Sequence, residues 1–274
     1  MSYLSSGHFR NNKICHACGL ERNSQGFFNK YFQESFIKSI VMINYGKKYF
    51  KILKSGNNKI FVLTEFHKTF LKDLGINTDN VHVFPNYLDI EIQSNKLNGS
   101  DSNYIVYAGR VSDEKGVQEL IQSFLEVNLS GLKLKIVGIG PAYGKLTETY
   151  KDYKSKIEFL GELSNNEVIE LILKSKAVVT ATKLYEGQPT LLCEASSLGV
   201  PSIFPNTGGI SEFFPENYDL SFEQFDYENL KTKLMLLNNT EELKNIGNAN
   251  QNFLNSLLDN KRMAQMFEKL YEKY

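Results

Sequence analysis

Apolar runs of strand length alternate with runs of helical periodicity through the middle of this chain. The strand-like runs occupy residues 104–108, 132–137, 157–160, 177–182 and 201–204. Between them, residues 117–127, 142–153, 167–174 and 190–198 carry apolar side chains at helical spacing. Units of strand, helix and strand build parallel sheets with helices on both faces. The pattern therefore predicts an α/β domain with a doubly wound sheet.

The flanking regions suggest how the chain is divided. Residues 61–63 form a short apolar run, whereas residues 91–103 are polar and rich in turn-forming side chains, which is typical of a linker. Residues 226–274 have the pattern of helices. We therefore expect an N-terminal domain at residues 1–97, a C-terminal domain at 98–250 and a final helix at 251–274.

The most informative segment contains two glutamates eight positions apart, Glu186 and Glu194. Gly187 and Pro189 lie between them. Glu186 is expected in the turn after the 177–182 strand, and Glu194 about two turns into the next helix. The first backbone N–H groups of that helix, from Thr190 and Leu191 onward, have no partner within the helix and attract anions. The segment thus offers a binding site for an anion between two carboxylates, each of which can accept hydrogen bonds from hydroxyl groups. This combination predicts a phosphorylated sugar as the ligand.

Charged residues and glycines follow the carboxyl ends of the predicted strands. Open parallel sheets bind ligands at this end. Arg110, Gly138, Gly161 and Glu186 each come after a strand, so we expect them to gather on one rim. Arg110 and, five residues later, Lys115 suit a diphosphate, because a guanidinium grips phosphate oxygens in pairs and an ammonium adds a point charge.

Several short motifs occur in an order that resembles the retaining glycosyltransferases of family 4, which have the GT-B fold. The motifs begin with FVLTEF at 61–66 and VFPNYLD at 83–89, and continue with AGRV at 108–111 and EKG at 114–116. They end with VGIGP at 137–141, FLGEL at 159–163, the E-x7-E segment, GVP at 199–201 and TGGISE at 207–212. Each pattern alone is weak, and their order carries the resemblance.

The resemblance implies a Rossmann-like, doubly wound C-terminal domain that binds the nucleotide-sugar donor, and an incomplete N-terminal α/β domain on the acceptor side. It also implies that the last helix packs back on the N-terminal domain. The catalytic residues are expected to be Arg110, Lys115 and Glu186. The donor-binding residues are expected to be Gly109, Gly138, Gly140, Leu163, Gly187, Pro189, Thr190, Leu191 and Glu194.

The expected reaction moves a sugar from a nucleotide-sugar to an acceptor hydroxyl in polysaccharide or glycolipid biosynthesis, with retention of the anomeric configuration. No cofactor and no metal is expected, because Arg110, Lys115 and the helix that begins at Thr190 would stabilise the leaving diphosphate. The expected partners are the nucleotide-sugar, a saccharide or lipid-linked acceptor and, peripherally, the inner face of the cell membrane.

Composition narrows the class of protein further. Lys and Arg number 31 and so do Asp and Glu, which gives no electrostatic reason to expect nucleic acid as a partner. No run of 18 apolar residues occurs, so no transmembrane helix is expected. The three cysteines argue against a disulfide framework, and a cytoplasmic location is expected.

The N-terminal region leaves alternatives open. By the resemblance, the strands, glycine-rich acceptor loop and histidine of an acceptor domain would precede Met1, so we expect a fragment, a shortened reading frame, or a partner that supplies the missing part. A catalytically impaired nucleotide-sugar-binding remnant and a nucleotide-sugar 2-epimerase of the same architecture are the alternative functions. Cys15 and Cys18 form a lone C-x-x-C motif, whereas zinc needs four ligands. Either His8 and His16 complete a zinc site with them, or the motif is half of a site whose other ligands would precede Met1.

The sequence assigns no functional role to four further side chains. Ser112 and Asp113 are expected to face solvent, and neither His67 nor His82 has a partner that the sequence identifies.

Overall fold

A computed structural model describes residues 8–10, 13–15, 35–56, 58–88, 103–129 and 131–271. The contacts between residues divide the chain into two units. One consists of residues 1–86 with 184–188, and the other of residues 87–183 with 189–274. The predicted linker at 91–103 lies outside the described residues except for Asn103, as do His16 and Cys18 of the C-x-x-C segment.

The first unit begins with an antiparallel pair of short strands, β1 (His8–Arg10) and β2 (Lys13–Cys15). Helix α1 (Phe36–Lys54) follows, and then β3 (Ile60–Val62), α2 (Glu65–Asp73) and β4 (Val81–Val83), with β3 and β4 parallel. Leu53 of α1 packs with Leu71, Ile76 and Val81 in a small buried cluster. This cluster holds α1 and α2 on the strand pair.

The described part of the second unit contains a six-stranded sheet. Its strands are β5 (Tyr104–Ala108), β6 (Lys133–Val137), β7 (Ile157–Gly161), β8 (Val178–Val179), β9 (Ser202–Asn206) and β10 (Ser221–Glu223). Every paired neighbour is parallel, and the spatial order is β10-β9-β8-β5-β6-β7. This is the Rossmann-like order expected for a doubly wound sheet.

Helices connect these strands and continue to the C-terminal end. They are α3 (Val117–Glu126), α4 (Tyr143–Thr149), α5 (Asn165–Leu173), α6 (Thr190–Ser197), α7 (Tyr227–Met235), α8 (Thr240–Leu257) and α9 (Asn260–Tyr271). Polar caps define several of their starts. Ser164 and Glu167 form a reciprocal capping box at α5, and Asp226 accepts a hydrogen bond from the Asn229 N–H at α7.

The core of the second unit is apolar because its central strands are covered on both faces. Ile105, Leu134, Ile136 and Ile203 of the sheet are fully buried, together with Leu120 of α3. A continuous apolar strand is what a two-faced parallel sheet requires. The same property made these strands visible in the sequence.

Most predicted elements are present, with differences at their ends. The predicted 177–182 strand is wrong in length, because only Val178 and Val179 pair with neighbours on the ladder. The predicted 142–153 helix stops at Thr149 and is followed by a 3-10 turn, Lys151–Tyr153. Strand β10 and helix α1 were not predicted. Among the described residues, no helix combines the length and apolar character that crossing a bilayer would need.

Candidate functional site

In the sheet of the second unit, the direction in which successive strands are added reverses between β5 and β8. From β5 the chain adds β6 and β7 on one side, and then β8, β9 and β10 on the other. In open α/β sheets, ligands bind at the carboxyl ends of the strands where this reversal occurs. The turns that follow β5 and β8 therefore define the candidate site.

The turns after β5, β6 and β7 are hydrogen-bonded to one another. The Gly109 N–H donates to the Val137 carbonyl at 3.0 Å, and the Gly138 N–H donates to the Gly161 carbonyl at 2.6 Å. Gly138 has a φ of +113°, and a Cβ there would overlap the Gly109 carbonyl oxygen. Gly138 and Gly161, the two glycines expected on this rim, therefore lie beside Gly109, with Arg110 directly after Gly109.

Arg110 is exposed and makes no ion pair within the described part of the chain. Its backbone carbonyl accepts a hydrogen bond from the Tyr107 hydroxyl at 2.8 Å, which fixes the turn that carries the guanidinium. Lys115 ends a 3-10 turn, Asp113–Lys115, and is half-buried. The two cations predicted to bind a diphosphate thus sit on the loop between β5 and α3.

The solvent-facing position predicted for Ser112 is wrong, because Ser112 is only 2% exposed. Val111 is drawn inward by two main-chain bonds, from its N–H to the Ile139 carbonyl and from the Ala142 N–H to its own carbonyl. Ser112 follows it, and its hydroxyl finds no hydrogen-bond partner among the described residues. Asp113 is exposed, as predicted.

Helix α6 has an uncapped N-terminus and, one turn later, a carboxylate without a partner in the described part of the chain. Pro189 precedes it without a side-chain cap, and the first internal bond runs from the Cys193 N–H to the Pro189 carbonyl. The N–H groups of Thr190 and Leu191 are therefore available, as predicted. Glu194 lies one turn further along.

The Glu194 side chain is half-buried, and its carboxylate makes no hydrogen bond within the described chain. Burial raises the pKa of the Glu194 carboxyl above its ordinary value. Neighbouring Leu192, Cys193 and Ala195 are fully buried, which explains the desolvation. A desolvated carboxylate without a partner is suited to accept hydrogen bonds from a ligand's hydroxyl groups.

Glu186 does not directly follow a strand, and this part of the prediction was wrong. Strand β8 ends at Val179, and the chain then leaves the ladder, with the Lys183 N–H donating to the Glu114 carbonyl at 2.9 Å. The segment 184–188, which carries Glu186, groups with the first unit.

Two residues that the sequence did not identify hold this segment. The Asn86 N–H donates to Gln188 Oε1 at 2.6 Å, and Gln188 Nε2 donates to the Asn86 carbonyl at 2.9 Å. The ring of His67 lies against Gly187, so closely that a Cβ on Gly187 would be 2.6 Å from His67 Cε1. No sequence spacing could reveal these contacts, because Asn86 and Gln188 are 102 positions apart.

The remaining predicted donor-binding residues take the following positions. Gly140 packs against the Val111 carbonyl, where a Cβ would overlap the oxygen. Leu163 is half-buried between β7 and the Ser164 cap of α5. Both lie on loops at the carboxyl ends of strands, β6 for Gly140 and β7 for Leu163.

Solved structures with a similar fold show which class of architecture this is. TarM from S. aureus superposes with a TM-score of 0.70 at 19% identity, over 83% of this chain and 46% of TarM. HepE from Anabaena, in complex with UDP, superposes with a TM-score of 0.68 at 14% identity, over 79% of this chain and 64% of HepE. The chain has the GT-B fold of these glycosyltransferases.

The family is shown by the sequence match. Residues 89–253 match the family described as Glycosyl transferases group 1, and the chain belongs to that family. The amylovoran biosynthesis glycosyltransferase AmsD of Erwinia amylovora is 30% identical over 151 residues, which are 53% of this chain and 42% of AmsD. The capsular polysaccharide biosynthesis glycosyltransferase CapM of Staphylococcus aureus is 24% identical over 237 residues, 81% of this chain and 60% of CapM. The matches thus span about half of these relatives' own length.

Proposed function

We propose that this protein transfers a sugar from a nucleotide-sugar to a hydroxyl group of a saccharide acceptor, in the biosynthesis of a surface polysaccharide or glycolipid. The observation that carries the proposal is the pairing, on one short helix, of free first-turn N–H groups with the partly buried, unpaired carboxylate of Glu194. The N–H groups suit a phosphate, and the carboxylate suits a ribose diol.

Each charged residue has a role in this proposal. Arg110 and Lys115 bind the diphosphate and stabilise the negative charge that develops as it leaves. Glu194 holds the ribose, and Glu186 holds a hydroxyl of the transferred sugar. Since this assignment gives the leaving diphosphate two cations and a helix N-terminus, the proposed reaction requires no metal. We assign retention of the anomeric configuration on the strength of the family resemblance.

The relatives support the class of acceptor. Their names associate AmsD with amylovoran biosynthesis and CapM with capsular polysaccharide biosynthesis. The pneumococcal O-GlcNAc transferase GtfA, which superposes with a TM-score of 0.66, was solved with UDP and GlcNAc. These ligands and pathways belong to those proteins, and for this chain they support a saccharide acceptor and a nucleotide-linked donor.

Helix α1 supports peripheral membrane contact as part of the proposal. Its exposed large apolar side chains are Phe36, Ile37, Ile40, Val41, Tyr45, Tyr49 and Ile52. The same helix carries five lysines and no acidic residue. Apolar and aromatic groups mixed with lysines suit the interface of an anionic bilayer, where a lipid-linked acceptor would be presented.

The test begins with binding and ends with product analysis. Calorimetric titration of the chain with UDP, GDP and ADP should show a clear preference for one of them. The matching nucleotide-sugars are then incubated with membrane lipid extracts, and the anomeric configuration of the product is read by NMR. Absence of binding to all three nucleotides at millimolar concentration would refute the donor site. An inverted product would refute retention alone.

Measuring the activity in the presence of a chelator tests separately whether the reaction requires a metal. The rate with EDTA should equal the rate without it. Conversion of the sugar nucleotide to its epimer without an acceptor would instead identify a 2-epimerase.

A further inference from the structure

The segment that carries Glu186 is held by the side chain of Gln188, which hydrogen-bonds to a main chain as a neighbouring strand would. The carboxamide of Gln188 accepts from the Asn86 N–H at 2.6 Å and donates to the Asn86 carbonyl at 2.9 Å. A primary amide offers a donor and an acceptor side by side, so it can satisfy both main-chain groups of one residue, as a neighbouring strand would. We call this pair of bonds the Gln188–Asn86 clasp.

A second attachment lies one residue away. Gly187 packs on the imidazole of His67, with no room for a Cβ at that position. The imidazole is itself held, because His67 Nδ1 lies 2.9 Å from Thr64 Oγ1, and Thr64 is fully buried at the start of α2. The ring of Tyr185 adds a third contact, at 5.7 Å from the ring of Phe66.

Glu186 therefore lies between neighbours that are fixed on both sides. Tyr185 is fixed through its ring, Gly187 through its close approach to His67, and Gln188 through the clasp. Because the length of the Glu186 side chain limits its reach, the position of the Cα decides which hydroxyl group the carboxylate can contact. A displacement of about 1 Å can cost up to a hundredfold in rate when geometry matters this much.

We propose that Gln188, through its clasp on Asn86, is a positioning residue for Glu186, and that His67 sets the depth at which Gly187 and Glu186 lie. This inference rests on the proposed function, since it takes Glu186 to bind a hydroxyl of the donor sugar. It adds that Asn86 and His67 determine how strongly the sugar part of the donor is held.

The test measures the sugar-dependent part of the donor affinity. Each of UDP-glucose, UDP-GlcNAc and GDP-mannose is titrated beside UDP or GDP, with the full chain and with Gln188→Met, which keeps the side-chain length but removes both bonds. We expect the ratio of nucleotide-sugar to nucleotide affinity to fall about tenfold, while the affinity for UDP or GDP alone changes less than twofold. Gln122→Met, at an exposed position on α3, is the matched control and should change neither.

Two results would overturn the proposal. One is an unchanged affinity ratio in Gln188→Met, and the other is a parallel loss of nucleotide and nucleotide-sugar affinity, which is the behaviour of a merely structural residue. Hydrogen exchange gives a reading that needs no ligand: amides of residues 184–188 should exchange faster in Gln188→Met than in the wild-type chain. Unchanged exchange would refute the clasp itself.

A second variant pair tests His67 separately. Gly187→Ala should lower the affinity ratio, because its Cβ collides with the imidazole, and adding His67→Ala should restore it by making room. Failure of this rescue would show that Gly187 is needed for some other reason. If the wild-type chain binds nucleotides but no nucleotide-sugar more tightly, the proposed role of Glu186 fails, whereas the exchange data still decide on the clasp.

Discussion

The ammonium group of Lys183 lies 2.6 Å from the Glu119 carboxylate, and the Lys183 side chain is only 6% exposed. The backbone N–H of Lys183 also donates to the Glu114 carbonyl, in the turn that ends at Lys115. The ion pair therefore joins the chain beyond β8 to helix α3, and the main-chain bond joins it to the loop that carries Arg110 and Lys115.

Breaking this pair on one side should be costly. Lys183→Met leaves the Glu119 carboxylate partly buried without its partner, and we expect a loss of about 3–5 kcal/mol in the free energy of unfolding. The double variant Lys183→Met with Glu119→Leu removes both charges and should recover most of that loss. Urea denaturation of the wild type, both single variants and the double variant gives the coupling energy. Additive losses would show that the two side chains do not act as a pair.

The hydroxyl of Tyr218 is a second buried connection in the second unit. It donates to the Ser202 carbonyl at 2.8 Å, and accepts from the Ser202 N–H at 3.0 Å and the Asn250 amide at 3.1 Å. Burial raises the pKa of Tyr218, so the phenol stays protonated and keeps this donor at neutral pH. Tyr218→Phe should destabilise the fold by about 1–3 kcal/mol, since Ser202 and Asn250 lose a partner.

Thermal unfolding checks this second prediction. Tyr153→Phe, at an exposed position, is the control and should leave the midpoint unchanged. If Tyr218→Phe unfolds at the wild-type midpoint, water must replace the missing hydroxyl.

The sequence predicted the parallel strands well, because their signal is local. A strand buried on both faces reads as an apolar run, and β5 was found with its observed ends. The length of strand β8 was overestimated because Ala177 and Ala181 are buried although neither belongs to the strand. An apolar pattern indicates which residues are buried, but it does not indicate which of them pair with a neighbouring strand.

The candidate site was predictable only where chain order fixes geometry. The carboxyl ends of consecutive parallel strands must share an edge, so the grouping of Arg110, Gly138 and Gly161 followed from topology. The contacts of Gln188 with Asn86 and of Gly187 with His67 depend on how distant segments fold together. The same holds for the burial of Ser112, which two main-chain bonds of Val111 impose.

Membrane contact through α1 gives a third prediction. In flotation assays, the chain should bind vesicles that contain phosphatidylglycerol more strongly than vesicles of phosphatidylcholine alone, and salt should weaken the binding. Val41→Glu, which places a negative charge on the exposed apolar side, should abolish flotation, and Val41→Ser should weaken it less. A chain that instead forms dimers in sedimentation experiments, and dissociates with Val41→Glu, would show that a second copy covers this face.

Removal of the Arg110 guanidinium gives a fourth prediction. Arg110→Ala should weaken binding of the preferred nucleoside diphosphate by about 1.5–3 kcal/mol, the range for hydrogen bonds to charged groups. The affinity for the bare nucleoside should hardly change, because the guanidinium is expected to contact phosphate oxygens only. Arg262→Ala, which removes an exposed arginine from α9, controls for the change in net charge. Equal losses for both ligands would place the effect of Arg110 elsewhere.

Glu194 should show opposite effects on stability and on binding, which is the fifth prediction. Burial raises its pKa, so the folded chain holds the proton more tightly than the unfolded chain, whose reference value is 4.5. Ionisation therefore costs stability as the pH rises through the raised pKa, and the cost is absent below the unfolded value. Glu194→Gln, which is never charged, should unfold at a higher temperature than the wild type at pH 7, and the difference should vanish below about pH 4.5.

The same substitution should weaken the binding of ribonucleotides more than that of their 2′-deoxy analogues, because a carboxylate can accept from both ribose hydroxyls whereas an amide has one accepting oxygen. Glu162→Gln, at an exposed position before α5, is the control for both measurements. Gain of stability together with loss of ribose discrimination would mean that the fold tolerates a desolvated carboxylate because the ligand needs it. If Glu194→Gln is less stable than the wild type at pH 7, the carboxylate has a partner within the protein, and its assignment to the ribose fails.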